Sequence, residues 1–417
     1  MGRVCRIGLE TIFHGRRRNE CWFEPSAALI PPGRYGPGPA VVVFVSQLTG
    51  NDVGPHHYTW TRDGGRTWSN PAESQALQVN PLDDHVFEKP WTAPFFHRAS
   101  ETLLLIGSTC FTRDTLPLPG IKGEAHVVWP PAVSARPFPD LIYAPWFPGE
   151  PDCRPWKRVS WRDAFAGTGT AALFSPDPCQ KIEDDDGAIL CPATLKKTAD
   201  ERGHSVVLRL EWDGETLALT ERGTILSCEE GRGFHEPSLV RFGGRYLLTL
   251  RNDRRGYVAA SADGLHFDEP VPWRFDDGTD LGSYNTQQHW LARGDALYLV
   301  YTRRSELANG VFRHRAPLFM ARVDPERLRV LRESERVIIP ENGARMGNFC
   351  TVAVAADEAW VITGEWLEQL VPEYAPGMPF YADCARGESP FNRIQYVGDL
   401  LLARIRFSGS AEGVDGG

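Results

Sequence analysis

The chain of 417 residues carries 45 Lys and Arg against 54 Asp and Glu, a formal net charge of −9. That balance argues against a nucleic-acid partner, because phosphate binding needs a basic face. With 42% hydrophobic and 24% charged residues the composition is that of a globular protein, and no apolar stretch approaches a membrane span. The nine cysteines form no CxxC pair, and an odd count fits reduced thiols better than a disulfide framework. The opening MGRVCRIGLETIF lacks the long apolar core of a signal peptide. The expectation is a soluble, cytoplasmic protein with no membrane partner, a leader already cleaved from the chain being the alternative.

No segment carries a long amphipathic helical period. Short apolar runs recur instead: AVVVFVSQ (40–47), ETLLLIGSTC (101–110), GAILCPA (187–193), SVVLRLEW (205–212), RYLLTLRND (245–253), ALYLVYTRR (296–304), LFMARVD (318–324) and AWVITGEW (359–366). Asp-Gly and Gly-Gly turns lie between them, as do many of the 33 prolines and 40 glycines. Longer units emerge on comparison. EPSAALIPPGRYGPGPAVVVFVSQ and EPSLVRFGGRYLLTLRND share a Glu-Pro-Ser opening, a strand, a turn and a second strand with a polar end. Related openings begin near 24, 89, 179, 236, 285 and 348. Such repeats of four strands describe the blades of a β-propeller, with a β-sandwich as the alternative. The expected class is all-β, one propeller over residues 1–408 with a disordered tail over 409–417. Six openings are countable, but the long 91–179 interval leaves room for another, and seven blades are favoured over six. The Pro-rich tract 115–155 reads as a blade insertion.

The stretch TWTRDGGRTWSNP (59–71) reads as a hairpin, with Asp63, Gly64 and Gly65 at its turn and Trp68 covering it. Thr61, Asp63, Gly65 and Trp68 resemble the Asp-box of sialidases and their relatives, Ser/Thr-x-Asp-x-Gly-x-x-Trp. SADGLHF (261–267) is a weaker copy, with Ser261, Asp263, Gly264 and Phe267. This resemblance implies fold and says little of chemistry.

HEPSLVRFGGRYLLTLRNDRRGYVAASADGLHF (235–267) resembles the sialidase segment in which a Glu opens a blade, an Arg ends its inner strand and an Asp-box follows. The resemblance implies that Glu236 would polarise a nucleophilic tyrosine and that Arg251 would grip a substrate carboxylate. HRAPLFMARVD (314–324) resembles the segment with another such arginine, here Arg315. A bidentate guanidinium is the natural receptor for a sugar carboxylate. The pattern then fails. Arg6-Ile7-Gly8 only echoes the family's Arg-Ile-Pro, and ARMGNFCTV (344–352) has no tyrosine where the nucleophile belongs. Histidines stand at blade openings and strand ends instead: His57, His235, His289 and His314. That combination resembles the seven-bladed propeller lyases and rhamnosidase-like proteins that remove rhamnose from glucuronic acid, a likeness strongest over 230–370.

Elimination at a uronate needs a neutralised carboxylate, a base for the C5 proton and an acid for the departing oxygen. Arg251 and Arg315 suit the first role, with Arg303 in reserve. His289 and His314 are the leading bases, followed by His57, because imidazole titrates near working pH. Tyr284 and Tyr301 are candidate proton donors or sugar contacts. Asn285, Gln287, Gln288 and His235 are candidate partners for sugar hydroxyls. Each has a blander reading, since a lone propeller histidine is more often structural, Glu236 can simply pair with its arginines, and Trp91, Trp146 and Trp290 more often pack a core than stack on a sugar. No motif for a transition-metal site is present, no cofactor is required, and a structural calcium ion is left open. The expected partner is an acidic oligosaccharide or polysaccharide. The reading is an exo-acting lyase that removes a cap such as rhamnose from a uronate, with an acidic-sugar hydrolase and a non-catalytic glycan-binding propeller as alternatives.

Overall fold

A computed structural model describes residues 4–48, 55–78, 80–81, 86–114, 125–127, 139–175, 179–197, 200–308, 310–370 and 394–408. The tail after 408 and most of the Pro-rich insertion lie outside them. Six antiparallel sheets of four or more strands follow one another along the chain, and a two-stranded sheet pairs Leu367–Leu370 with Ile394–Val397. Blade 1 is Trp22–Ile30, Ala40–Gln47, His56–Thr61 and Ala72–Glu73. Blade 2 is Val86–His97, Thr102–Asp114, Leu141–Trp146 and Lys157–Arg158, with Asn80–Pro81 added at its inner edge. Blade 3 splits its inner edge between Thr170–Phe174 and Ile182–Glu183, both paired to Ile189–Lys197, and continues through Asp200–Trp212 and Leu217–Arg222. Blade 4 is His235–Phe242, Arg245–Arg251, Tyr257–Ser261 and Val271–Pro272. Blade 5 begins with His289–Arg293, Ala296–Tyr301 and Leu318–Asp324, which Arg329–Val330 and Arg336–Ile339 flank.

Blade 6 closes the ring. Phe349–Ala355, Glu358–Gly364 and Leu400–Phe407 come from the end of the chain, and the outermost strand, Val4–Phe13, comes from its beginning. Arg6 therefore pairs with Arg406 on the outer strand of that blade, far in the topology from the opening strands.

The propeller has six blades rather than the favoured seven. The described part of the 91–179 interval is spent on the long strands of blade 2 and the first inner piece of blade 3.

Six apolar clusters account for the cohesion, one at each junction between neighbouring blades. Strand alternation sends successive residues to opposite junctions. In Leu400–Phe407, Leu400 and Leu402 face blade 1, whereas Leu401, Ala403, Ile405 and Phe407 face blade 5. Each fully buried aliphatic side chain of this kind contributes roughly 1.5–3 kcal/mol before entropy is charged against it.

The hairpin at 59–71 forms as its turn residues dictate. Asp63 Oδ1 accepts from the amides of Arg66 and Thr67, both at 3.0 Å, and Gly64 and Gly65 take φ of 72° and 80°. Trp68 packs 5.9 Å from Trp360 of blade 6. The second copy repeats the pattern: Asp263 Oδ1 accepts from Leu265 at 2.9 Å and His266 at 2.7 Å, and Phe267 is buried.

One side chain crosses the central channel. Gln180 of blade 3 donates from Nε2 to Trp290 O of blade 5 and Thr351 Oγ1 of blade 6, both at 2.9 Å, and accepts from Trp290 N. On the far side of that bar, a cavity of about 610 Å³ is lined by later inner-strand residues such as Ala28, Phe95, Leu239 and Val352. Among the described residues no helix is long and apolar enough to cross a membrane, and no group of three or more His, Cys, Asp or Glu could hold a metal ion.

Candidate active site

The inner strands begin at one mouth of the channel, and their first residues depart from ordinary strand geometry. Glu24, Glu236 and Asn285 take φ of 50°, 44° and 50°, a region that non-glycine residues occupy at a cost of about 1–3 kcal/mol each. Such kinks turn side chains across the mouth rather than along a blade.

A continuous hydrogen-bonded chain results, running from blade 1 through blades 6 and 5 to blade 4. Asn348 Nδ2 donates to Glu24 Oε1. Arg315 donates from Nη1 to Asn348 Oδ1 at 3.3 Å and from Nη2 to the Asn285 carbonyl at 3.0 Å. Arg251 donates from Nη2 to Asn285 Oδ1 at 2.9 Å and from Nη1 to Glu236 Oε1. Asn285 is the joint. Its main chain serves one arginine, its side chain the other, and its own amide is fixed on Asn252 O at 2.8 Å. Arg315 reaches this position because Gly347 has no side chain. An added Cβ there would lie 2.7 Å from both Arg315 Cδ and Thr286 Oγ1.

The electrostatics follow from burial. Arg251 is only 11% exposed at its side chain and Arg315 is buried. Burial alone would raise the Glu236 carboxyl, but Arg251, His235 and Arg315 around it hold it below its ordinary value. Among the described residues, Glu236 Oε2 and Arg251 Nε are buried with no hydrogen-bond partner, although buried polar atoms are nearly always paired. His235 shares a 2.9 Å hydrogen bond with the Arg232 carbonyl, and burial together with Arg251 pushes its pKa down to about 4. Arg232 clamps Asp253 and reaches Asn285 Oδ1 at 3.2 Å.

Next to this receptor, Tyr284 and His314 form a pair. Tyr284 Oη and His314 Nδ1 are 2.7 Å apart and share one hydrogen bond, with ring centres at 5.7 Å. Tyr284 precedes Asn285, and His314 precedes Arg315, so each member of the pair adjoins a member of the receptor. Both are partly exposed.

Other expected residues lie elsewhere. His289 is fully buried, its Nδ1 2.9 Å from Ser238 Oγ and its ring edge-on to Phe349 at 4.9 Å, and burial pushes its pKa down to about 3. A base so enclosed cannot meet a substrate. Gln287 and Gln288 are buried beside it; Gln287 Oε1 faces His289 Nε2, and Gln288 bonds Thr249 and Thr286. His57 belongs to the third strand of blade 1, against Trp22 at 5.4 Å, with Nδ1 3.1 Å from Pro55 O. Tyr301 and Arg303 both bond Glu335 behind the inner strands, and burial beside that carboxylate holds the Tyr301 phenol well above its usual range. Trp146 and Trp290 pack in the core. Thus Arg251, Arg315, Glu236, Asn285, Tyr284, His314 and His235 come together at the mouth, and His289, His57, Tyr301, Arg303, Gln287 and Gln288 do not.

Glu24 and Asn348 complete the chain and were missed. The signal was present, because Glu24-Pro25-Ser26 duplicates Glu236-Pro237-Ser238, and the two openings belong to blades on opposite sides of a six-membered ring.

No family profile and no curated protein sequence matches the chain. Solved structures do. A Hadza microbial sialidase superposes with a TM-score of 0.56 at 11% identity, over 86% of this chain and 66% of its own. A mutant of NanB sialidase from Streptococcus pneumoniae gives 0.58 at 10% identity, over 92% and 68%. The leech intramolecular trans-sialidase gives 0.54 at 10% identity, over 96% and 69%. The chain spans about two thirds of the length of these proteins. Its architecture is a six-bladed β-propeller like that of these sialidases, and at such identities the likeness is one of fold alone.

Proposed function

We propose that the chain is a carbohydrate-active enzyme acting on a sugar that bears a carboxylate, and that its reaction is β-elimination at a uronate. One observation carries this reading: two guanidiniums joined through Asn285 stand beside a hydrogen-bonded Tyr284–His314 pair. In the proposed step, Arg251 and Arg315 neutralise the carboxylate and so stabilise the enolate-like charge that develops beside it. His314, with its proton on Nδ1 toward Tyr284, takes the C5 proton on Nε2. The C4–O bond breaks, a C4=C5 double bond forms, and Tyr284 delivers its proton to the departing oxygen. A terminal rhamnose on C4 would leave as the free sugar.

The same pair favours a second reading when the proton sits the other way. If the phenol donates to His314 Nδ1, Tyr284 becomes the activated oxygen of a glycoside hydrolase: it attacks the anomeric carbon as the glycosidic C–O bond breaks, the aglycone oxygen leaves with a proton taken from solvent, and water then cleaves the Tyr284–sugar bond and returns the phenol. The fold shared with sialidases supports a hydrolase as well as a lyase. Incubation with rhamnose-capped glucuronate glycans separates the two. A rise in absorbance near 235 nm together with released sugar is expected for the elimination. Sugar release without absorbance establishes the hydrolase, and neither signal overturns both in favour of a non-catalytic glycan-binding propeller.

A further inference from the structure

The receptor and the Tyr284–His314 pair account for one charged sugar, yet the cationic surface continues outward from them. Arg304 lays its guanidinium 3.8 Å from the centre of the Tyr284 ring. It is exposed and, among the described residues, has no carboxylate in ion-pairing reach. On the other side of His314, Phe312 is 53% exposed, more open than any other large aromatic among the described residues. Arg313 and Arg345 lie 4.9 and 5.1 Å from its ring, and Arg345 is also 4.3 Å from Trp366.

The backbone holds this arrangement in an unusual way. Arg313 and His314 are consecutive left-handed residues with φ of 56° and 51°, a conformation that only a surrounding structure can impose on two side-chain-bearing residues. The double twist directs His314 to Tyr284 and leaves Phe312 at the surface between its arginines. A guanidinium stacked on an aromatic ring offers that ring its face, while its planar N–H donors point along the edge where they match an oxyanion.

We infer that the mouth takes a polyanionic glycan: one carboxylate at Arg251 and Arg315, and a second anionic group, on a neighbouring sugar, at Arg304. The inference rests on the carboxylate-receptor reading of Arg251 and Arg315 and deepens it by naming the substrate as a chain charged on more than one residue.

Calorimetric titration of the full chain with galacturonate, trigalacturonate and neutral galactotriose tests it. Trigalacturonate is expected to bind about tenfold or more tighter than galacturonate at low salt, with the advantage shrinking as ionic strength rises. Galactotriose should gain nothing over either. Arg304→Gln should remove most of the chain-length advantage and leave galacturonate affinity within about twofold of wild type. Equal affinity for the monomer and the trimer, or an advantage that Arg304→Gln preserves, overturns the inference while leaving the receptor standing. Galacturonate affinity that is unchanged in Arg251→Lys overturns the receptor reading, and the inference with it.

Discussion

Tyr284 Oη lies 2.7 Å from His314 Nδ1, and the two residues reach that contact from separate segments of blade 5, each next in sequence to a residue that builds the arginine receptor. If the proton moves through this pair, removing either partner should spare binding and cripple turnover. His314→Ala and Tyr284→Phe are each expected to lower kcat by about 10²–10⁴-fold, with substrate affinity changed by no more than about threefold. Single-turnover rates and equilibrium binding measured side by side decide it. Near-normal turnover in both variants would remove the pair from the mechanism.

Arg251 holds Glu236 with one nitrogen and Asn285 with the other, a fork that a lysine cannot reproduce. Arg251→Lys is expected to weaken binding of acidic sugars by about tenfold or more, since charge-assisted bonds contribute about 1.5–3 kcal/mol each, and to leave binding of neutral sugars where it was. Titration with galacturonate and galactose gives the comparison.

Gly347 offers a test that leaves every polar group in place. A methyl there would lie 2.7 Å from both Arg315 Cδ and Thr286 Oγ1, and the long arginine stem has more freedom to yield than the short Thr286, which is bonded to Gly347 O. Gly347→Ala should therefore fold with a Tm within a few degrees of wild type and lose affinity for acidic sugars through a displaced Arg315. A variant with normal affinity would show that Arg315 tolerates the shift and is not held to a single pose.

The blade pattern was legible because strand alternation and turn residues are local signals. All six openings read near 24, 89, 179, 236, 285 and 348 correspond to inner edges in the structure. The blade count was not legible, because a long interval looks the same whether it holds another sheet or an insertion between strands of one. His289 misled for a related reason. TQQHW marks a strand start, but which face receives the histidine depends on register, and here it points to Ser238 and Phe349 rather than the mouth. Glu24 had a local signal in its repeated Glu-Pro-Ser, but its bond to Asn348 spans a separation of 324 residues, which no local pattern reveals.

Three histidines tie stability to pH. His56, His235 and His289 have pKa values pushed down to about 4, 4 and 3 respectively, mainly by burial, whereas unfolded imidazoles titrate near 6.5. Between those values the unfolded chain binds more protons than the folded one. Their contribution is therefore fully present above about pH 6.5 and is lost as pH falls toward about 4. Tm should decline across that window, and His289→Gln should lower Tm at pH 7 while flattening the decline. Parallel curves for the two proteins would mean that His289 does not contribute to the slope.

The pairing of Val4–Phe13 with Leu400–Phe407 has a bearing on the order of events during synthesis. Val4–Phe13 is made before the five other blades and its partner after them, so it waits for that partner through their synthesis. Until then blade 6 lacks its outer strand, and blades 1 and 5 each keep an apolar flank uncovered. The blade 1 seam is thus exposed while blades 2 to 5 are made, the blade 5 seam joins it only afterwards, and both close when blade 6 is complete, an interval in which a chaperone would find its natural opening.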